Sequence, residues 1–424
     1  MLGGGELIVN QPSAGNLTGV ISGTGKVNTI GVGALTLSGA NTYSGGTTVG
    51  ANASLILDRA PVMSGTTITS SPAGTGSLTL NSGSTLTLGT STTAIHLPNN
   101  IFINGATTLK NTTATAPNIS GVIADGPTTG QSLTLINSNA GGSMELSGNN
   151  TYTGTTTMGL AGTTSQYFIS HSNALGASTG GTVMLVNSIL NLKGGITIDD
   201  AIQGQSIYLK NVSDANTMRS AFSITNTSVI LVSAGSLTFA PTGGSSAQAI
   251  NTNASNLTIR GPGAVNVSGK ISGSGAITID SNPTVSFSGS NNYSGSTTIT
   301  NGTLRVESDS ALGVNPGGSV TIQASGTLEL AGPATGGLTI GNKTLSVQDG
   351  GKIRNVSGSN IYAGAMSLGG NATITVDTGS SLNFTATGAA ISIAAGKRLS
   401  LNLTNGDLTI FKGLTGVSAA SSYV

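Results

Sequence analysis

The stretch LTLSGANTYSGGTTV, residues 35–49, decides the fold that we predict for this chain. It recurs as MELSGNNTYTGTTTM at residues 144–158 and as VSFSGSNNYSGSTTI at residues 285–299. Each copy has an alternating apolar segment, a cluster of Gly, Ser and Asn around one Tyr, and a second alternating segment. Alternation with a period of two residues predicts β-strands, and the central cluster predicts a tight turn between them.

The similarity extends beyond these fifteen residues. Residues 20–49 align without a gap to residues 270–299, whereas the middle copy begins at 120–125 and carries an insertion of about seven residues. Downstream, SNALGASTGGTVML at 172–185 parallels DSALGVNPGGSVTI at 309–322. The first copy lacks this continuation and has LDRAPVMSGTTI instead. We therefore place repeat modules at approximately 18–57, 118–192 and 268–330, within one continuous segment spanning residues 1–424.

The composition also favours short strands joined by tight turns. Charged residues make up 7% of the 424 residues, aromatic residues 3%, and Gly is present 65 times; an ordinary soluble domain has about 25% charged residues. Tripeptides in which a central Thr stands between two aliphatic residues recur along the chain, at 35–37, 78–80, 86–88, 133–135, 257–259, 277–279, 320–322, 338–340 and 408–410. The best candidate for a helix, at 213–222, is weak.

Repeated strand–turn units must stack on one another to bury their apolar faces. The fold class that we predict is all-β, a right-handed parallel β-helix, or β-solenoid, in the form of an elongated rod. With about 20–25 residues per coil, the chain would form about 17–21 coils. At a strand spacing of ~4.8 Å, the rod would be roughly 80–100 Å long.

The charges and termini exclude several classes of function. The 15 basic and 14 acidic residues are scattered and give a net charge of +1, so we expect no nucleic-acid partner and no anionic membrane surface. There is no Cys, which excludes disulfides and thiolate metal sites. The start, MLGGGELIVNQ, does not resemble a signal peptide, and no apolar run approaches the ~18 residues of a membrane helix. We expect the chain to be part of a longer precursor.

The repeated phrase resembles the autotransporter-associated β-strand repeat, also called the passenger-associated transport repeat. Residues 20–49, 120–158 with the tail at 173–176, and 270–313 carry the resemblance. It implies a right-handed parallel β-helix in the passenger of a bacterial type V secreted protein. Such passengers cross the outer membrane through a C-terminal β-barrel, which would be this protein's only membrane contact and which is missing from this chain.

The resemblance implies a bacterial cell-surface or extracellular stalk that serves adhesion or aggregation and aids export. Its partner would be a host or neighbouring-cell surface protein or glycan, or another copy of itself. Two alternatives remain open from the sequence: a carbohydrate-active β-helix lyase or hydrolase, and a self-assembling extracellular filament or surface-layer subunit. We expect no enzymatic activity, no cofactor and no metal.

An Asn and a Tyr occupy one fixed position in every copy of the repeat. They are Asn41 and Tyr43, Asn150 and Tyr152, and Asn291 and Tyr293. We expect the Asn to hydrogen-bond amides of the turn and the Tyr to cover apolar core with its hydroxyl in solvent. Gly39 and Gly45 are expected to adopt backbone conformations closed to other residues, and Leu35 and Leu37 to point into the core.

Residues that could carry chemistry are few. GASTG at 176–180 matches the nucleophile pattern G-x-S-x-G around Ser178, but no strand-to-helix context surrounds it. His96 and His171 are far apart in the sequence and are expected at the surface or in turns.

Two acidic pairs stand close in the sequence: Asp199 with Asp200, and Glu307 with Asp309. In an extended strand, Glu307 and Asp309 would share one face with Arg305, as a catalytic carboxylate pair requires. A solvated strand edge with weak ion pairing explains them equally well.

Overall fold

The computed structural model describes residues 1–89, 94–314, 317–341, 343–410 and 413–416, with the side chains of 281–283 left out. It is nearly all β-structure, with parallel sheets that form a β-solenoid of about 17 coils. Within the described ranges, the one helical element is a 3-10 turn, Gly244–Ser246. The predicted all-β parallel solenoid is therefore confirmed. The single continuous segment and the three modules stay predictions, and residues 315 and 316 of the third module lie outside the described residues.

The chain divides into two compact units, Met1–Leu209 and Lys210–Val424. The strands of the first unit are β1 (Glu6–Val9), β2 (Gly15–Leu17), β3 (Lys26–Thr29), β4 (Leu35–Leu37), β5 (Thr47–Val49), β6 (Ser54–Leu57), β7 (Val62–Ser64), β8 (Thr67–Ser70), β9 (Leu78–Asn81), β10 (Thr85–Leu88), β11 (His96–Leu97), β12 (Ile101–Asn104), β13 (Thr107–Asn111), β14 (Asn118–Ile119), β15 (Ile123–Asp125), β16 (Leu133–Asn137), β17 (Ser143–Leu146), β18 (Thr156–Met158), β19 (Ser165–Ile169), β20 (Thr182–Met184), β21 (Ser188–Leu192), β22 (Thr197–Ile198) and β23 (Ile202–Gly204). Strand β24 (Tyr208–Asn211) contains the boundary.

The strands of the second unit are β25 (Ala215–Met218), β26 (Phe222–Ile224), β27 (Ser228–Val232), β28 (Ser236–Phe239), β29 (Gln248–Asn251), β30 (Leu257–Gly261), β31 (Ala264–Val267), β32 (Lys270–Ser272), β33 (Ile277–Phe287), β34 (Thr297–Val306), β35 (Val320–Ala331), β36 (Thr339–Ile340), β37 (Leu345–Val347), β38 (Lys352–Ser357), β39 (Ser359–Tyr362), β40 (Met366–Leu368), β41 (Ala372–Val376), β42 (Ser381–Phe384), β43 (Ile391–Ile393), β44 (Leu399–Leu403), β45 (Asp407–Ile410) and β46 (Leu414–Thr415). One sheet of this unit has the order β36-β39-β42-β45, and its longest strands, β33, β34 and β35, pair side by side.

In the first unit, each parallel sheet collects strands from successive coils, one strand from a coil. One sheet has the order β1-β3-β5-β9-β12-β15, and a second contains β2-β4-β6-β10-β13-β16-β18-β20-β23. Parallel register places like residues above one another: Leu35 pairs with Leu55, Leu55 with Leu86, and Leu86 with Leu109. These side chains are almost fully buried. The core is therefore a continuous aliphatic column, since each coil covers the apolar face of the coil before it.

Coil length varies, and the largest excursion is a hairpin. Thr47 pairs with Leu78, 31 residues later, whereas Val27 pairs with Thr47 after 20. The extra residues form the antiparallel hairpin β7–β8. Its side chains are mostly exposed, with Val62 at 50%. The continuation expected to be absent from the first repeat follows this hairpin, since the Pro72 carbonyl accepts from Asn41 as the Ala174 carbonyl accepts from Asn150.

The candidate helix at 213–222 is wrong, because this segment forms β25 and the start of β26. Asp214 has a positive φ of 65°, which breaks a helical path. Asn216 is buried, and its side chain donates to Asn211 Oδ1 and to the Ser213 carbonyl. Side-chain bonds of this kind favour turns over helices.

Candidate functional site

The repeated Asn joins three consecutive coils at a buried corner. Asn41 Oδ1 accepts a hydrogen bond from the backbone N–H of Ile21, at 2.8 Å, in the preceding coil. Asn41 Nδ2 donates to the carbonyl of Pro72, at 2.7 Å, in the following coil. The side chain is fully buried. Its partners are thus amides of neighbouring coils rather than of its own turn.

Asn150 and Asn291 repeat this arrangement. Asn150 accepts from Ile123 N–H at 2.8 Å and donates to the Ala174 carbonyl at 2.7 Å. Asn291 accepts from Ile271 N–H at 2.7 Å and donates to the carbonyl of Ala311 at 2.8 Å. Each corner can therefore be completed only when the coils on both sides are in place.

The repeated Tyr is buried beneath the same corner, hydroxyl included. The Tyr43 hydroxyl lies 2.5 Å from Thr47 Oγ1, which donates to the carbonyl of Ala73 at 2.8 Å, so Tyr43 is the donor to Thr47. Burial raises the pKa of Tyr43 to about 12 and raises the pKa of Tyr152 and Tyr293 further. The expectation that these hydroxyls stay in solvent is wrong, because a Thr four residues later satisfies each hydroxyl inside the core.

The two glycines have a different role from the expected one. Gly39 and Gly45 do not have positive φ; that conformation belongs to Gly46, at 85°. A Cβ at Gly39 would collide with the carbonyl oxygen of Gly19, and one at Gly45 with that of Gly25. These glycines are needed for close approach of successive coils. Leu35 and Leu37 face the core as expected.

A fourth corner, not identified from the sequence, is formed by SGSNIY at 357–362. Asn360 is buried and accepts from the N–H of Leu338 at 2.7 Å, and Tyr362 is buried beside it. Met366 stands where the other corners have Thr, and the Tyr362 hydroxyl has no hydrogen-bond partner among the described residues. The near identity to SGSNNY at 288–293 was the signal that could have revealed it.

A second position, also missed, lies over three of these corners. It is occupied by Asn99, Asp200 and Lys343. The Thr of each corner pairs with a strand residue of the next coil, which pairs in turn with a strand residue one coil further on. The residue at this second position lies two residues before the last of these strand residues. All three side chains are buried. They differ in charge, which hid their equivalence in the sequence. We call this the capping position.

Two of the capping residues donate to backbone carbonyls. Asn99 Nδ2 donates to the carbonyls of Gly74, at 3.1 Å, and Gly76, at 2.7 Å. Lys343 Nζ donates to the carbonyl of Gly318 at 3.2 Å and lies 5.4 Å from the centre of the Tyr293 ring. Burial lowers the pKa of Lys343 to about 8.

Asp200, the third capping residue, borders a cavity of about 290 Å³ in the first unit. Thr151, Ser172, Asn173, Ser178 and Asp199 also line this cavity. The Thr182 hydroxyl donates to Asp200 Oδ2, while Oδ1 is buried and has no hydrogen-bond partner in the described part of the chain. Burial raises the pKa of Asp200 to about 6, although bonds from Thr182 and Gly181 oppose the rise.

The other candidates from the sequence are not assembled into a catalytic arrangement. Ser178 lies in a turn rather than between a strand and a helix. His96 Nε2 is 2.6 Å from Ser120 Oγ, and His171 Nδ1 accepts from the N–H of Asn173.

The expected Glu307 and Asp309 pair is wrong as a shared strand face, because β34 ends at Val306 and both residues follow it. Glu307 pairs with Arg305 at 2.9 Å. Asp309 instead accepts from the N–H of Thr339 at 2.8 Å, so it belongs to a turn contact with a later coil.

Over the described ranges, no three His, Asp or Glu side chains cluster in a way that could hold a metal. No helix in those same ranges has the length and apolar character needed to span a membrane.

Comparison with known families identifies the repeat. A family model described as the passenger-associated-transport-repeat matches residues 30–51, 141–164 and 284–306, and each match contains one Asn-x-Tyr corner. The fourth corner, at 357–362, lies outside these matches. No curated protein and no solved structure matches the chain.

Proposed function

Because this chain carries the repeats and the fold of an autotransporter passenger domain, we propose that it is a surface-exposed stalk that aids its own export and presents a surface for adhesion or aggregation. The observation that supports export is the three-coil bridge made by Asn41, Asn150 and Asn291. A corner of this kind closes each time another coil arrives. Folding outside the cell, one coil at a time, would then oppose backward movement of the chain.

Adhesion or aggregation is supported by the chemistry of the outer surface. Thr, Ser and Asn are common among the outward residues of the strands, as in β9 and β28, and charged side chains are sparse. Hydroxyl and amide groups can hydrogen-bond a glycan, a host protein or another copy of the chain. Such a surface carries little net repulsion between copies, since the net charge is +1.

The export proposal is tested by displaying the chain on a Gram-negative host, between a signal peptide and an outer-membrane anchor. We expect the triple variant Asn41→Ala, Asn150→Ala and Asn291→Ala to reach the surface in severalfold lower amounts, measured by antibody labelling of intact cells. The matched control carries Thr42→Ala, Thr151→Ala and Asn292→Ala, at the exposed neighbours of the three residues. Equal display of the two triple variants would contradict the role of the corners in export.

Adhesion is tested on the same cells with the unmodified chain. We expect faster settling of displaying cells, or retention on immobilised glycans or host-cell surfaces, relative to cells that display the anchor alone. Cells that display the chain but neither settle faster nor adhere would contradict the adhesive part of the proposal while leaving the export part intact.

A further inference from the structure

The capping position holds a hydrogen-bond donor in the first and third repeats. Asn99 presents an amide N–H₂ and Lys343 an ammonium, and both donate to backbone carbonyls of the coil below. Two of these carbonyls, those of Gly76 and Gly318, are equivalent, since each glycine stands two residues before the strand residue that pairs with the corner Thr. The backbone beneath the capping position therefore offers an acceptor and calls for a donor above it.

The second repeat keeps this backbone and places a carboxyl group over it. Gly180 occupies the place of the other two glycines, and its carbonyl accepts one bond, from Thr155 Oγ1 at 3.1 Å. A carbonyl has two lone pairs and can accept a second bond. Asp200 stands where the donors stand, and a carboxyl group can donate only when it is protonated.

The surroundings of Asp200 favour its protonated form. The residue is only 4% exposed, the Thr182 hydroxyl donates to Oδ2, and Oδ1 is buried with no hydrogen-bond partner within the described ranges. A negative charge on an oxygen that neither water nor a donor reaches is costly, and protonation removes that cost. Burial accordingly raises the pKa of Asp200 to about 6.

The titratable groups around Asp200 supply no positive charge. Tyr152, in the corner that Asp200 covers, is buried, and burial raises its pKa well above neutrality. Asp199 lines the same cavity, and none of the described residues that line it is Lys or Arg. Thr182, on β20, does not titrate. His171 adjoins the loop of the cavity without lining it, and its Nδ1 accepts a backbone N–H.

We propose that Asp200 is a proton-operated latch, in which a hydrogen on Oδ1 supplies the bond to the coil below that Asn99 and Lys343 supply in the other repeats. Loss of this proton leaves a buried carboxylate with nothing to donate, and the coil that carries Asp200 is then held less firmly to the coil that carries Gly180. The folded chain binds a proton that the unfolded chain has released. The stability from the latch is therefore present below the ordinary carboxyl pKa of 3.8 and is lost as the pH rises through about 6.

The test compares thermal melting of the full chain and of Asp200→Asn between pH 7.5 and pH 5. Asn is the residue at the capping position of the first repeat, and its amide donates at every pH, so the variant is expected to fold with the latch closed. Its melting temperature should exceed that of the unmodified chain at pH 7.5. The difference should shrink by at least about 2 °C as the pH falls to 5, because the unmodified chain gains its proton.

Two controls assign the response to Asp200. Asp199→Asn makes the same change at the exposed neighbouring residue, and His171→Gln removes the titratable ring beside the cavity. Both variants should keep the pH dependence of the unmodified chain. Infrared spectra of the unmodified chain need no variant, and the absorption of a protonated carboxyl should grow with a midpoint near pH 6. The proposal is overturned by a melting difference between Asp200→Asn and the unmodified chain that does not vary with pH, by loss of the response in either control, or by no protonated carboxyl at pH 5.5.

Discussion

Asn291 shows how one side chain can stabilise three coils. It satisfies the N–H of Ile271 and the carbonyl of Ala311 in a fully desolvated corner. Removing a side chain that pairs buried backbone groups costs about 1–3 kcal/mol for each group left unpaired. Asn291 therefore stabilises the fold mainly by pairing these two buried backbone groups.

We expect Asn291→Ala to lower the free energy of unfolding by about 2–4 kcal/mol, because both backbone groups would remain buried without partners. Urea denaturation followed by circular dichroism measures the change. Asn292→Ala is the matched control, since Asn292 is exposed and adjacent, and it should leave the midpoint nearly unchanged. Equal effects of the two substitutions would show that the bridge contributes no stability.

The tyrosines of the third and fourth corners should respond in opposite ways to removal of the hydroxyl. The hydroxyl of Tyr293 is hydrogen-bonded to Thr297, whereas that of Tyr362 has no partner among the residues described. We expect Tyr293→Phe to cost about 1 kcal/mol, and Tyr362→Phe to be neutral or to stabilise by up to about 1 kcal/mol. Urea denaturation of both variants tests this.

Tyr293→Ala should destabilise much more than Tyr293→Phe, by about 3–5 kcal/mol, since it leaves a cavity in the core. A destabilised Tyr362→Phe would contradict the assignment of an unpaired hydroxyl.

Lys343 should make stability depend on pH in the alkaline range. Burial lowers its pKa from 10.5 to about 8 in the folded chain. Between pH 8 and 9.5 the folded state has released protons that the unfolded state still holds, so the free energy of unfolding should increase with pH. Thermal melting across this range should show the increase in the unmodified chain and its loss in Lys343→Met. Lys352→Met, at an exposed lysine, should retain it.

At the scale of elements, the scarce charges are arranged with opposite signs on neighbouring strands. Arg305 in β34 is in register with Glu329 in β35, and Glu329 is in register with Arg354 in β38. Arg354 Nη1 lies 3.5 Å from Glu329 Oε1, and Arg354 also pairs with Asp377 at 2.8 Å. Parallel register would otherwise place like charges about 4.8 Å apart, so alternation removes that repulsion.

The hairpin β7–β8 is an addition to its coil rather than a part of the core. Asp58 and Ser71, on either side of the hairpin, remain bonded to the coil below, because the Asp58 N–H donates to the Leu37 carbonyl and the Ser71 N–H to the Asn41 carbonyl. In the preceding coil, the N–H groups of Ser38 and Thr42 make the equivalent bonds, and only the three residues 39–41 separate them.

We expect replacement of residues 59–69 by Gly-Ala, which leaves three residues between Asp58 and Ser71, to keep the fold intact and to change the melting temperature by less than about 3 °C. The reason is that the hairpin buries little apolar surface. Far-ultraviolet circular dichroism and thermal melting measure this. Loss of the β-spectrum would mean that the hairpin supports the coil below it.

At the scale of the whole molecule, stability comes from apolar columns and backbone pairing, and charge contributes little. The chain has 7% charged residues, and its ion pairs lie at partly exposed side chains. Exposed ion pairs contribute about 0–1 kcal/mol each. Raising NaCl from about 10 mM to about 500 mM screens such pairs.

We therefore expect this increase in NaCl to shift the melting temperature by no more than about 2 °C, as measured by differential scanning calorimetry. Glu329→Gln, which removes the central charge between Arg305 and Arg354, is expected to be similarly mild. A large loss of stability in salt would show that the alternating charges matter more than their exposure indicates.

The sequence was sufficient to predict the parallel solenoid, and its repeats singled out Asn41, Asn150 and Asn291 as one recurring position. Period-two alternation and turn residues are local properties, and a repeated unit that cannot bury its own apolar face has to stack on its neighbours. The same local information placed Leu35 and Leu37 in the core.

Only the tertiary structure decided which groups meet between coils. The number of residues from one coil to the next ranges from 19, between Val285 and Leu304, to 31, between Thr47 and Leu78. No fixed spacing therefore identifies Asn99, Asp200 and Lys343 as one position. The contacts of each of these three residues are set by the register of the stacked strands. That register depends on how many residues the loops between the strands contain.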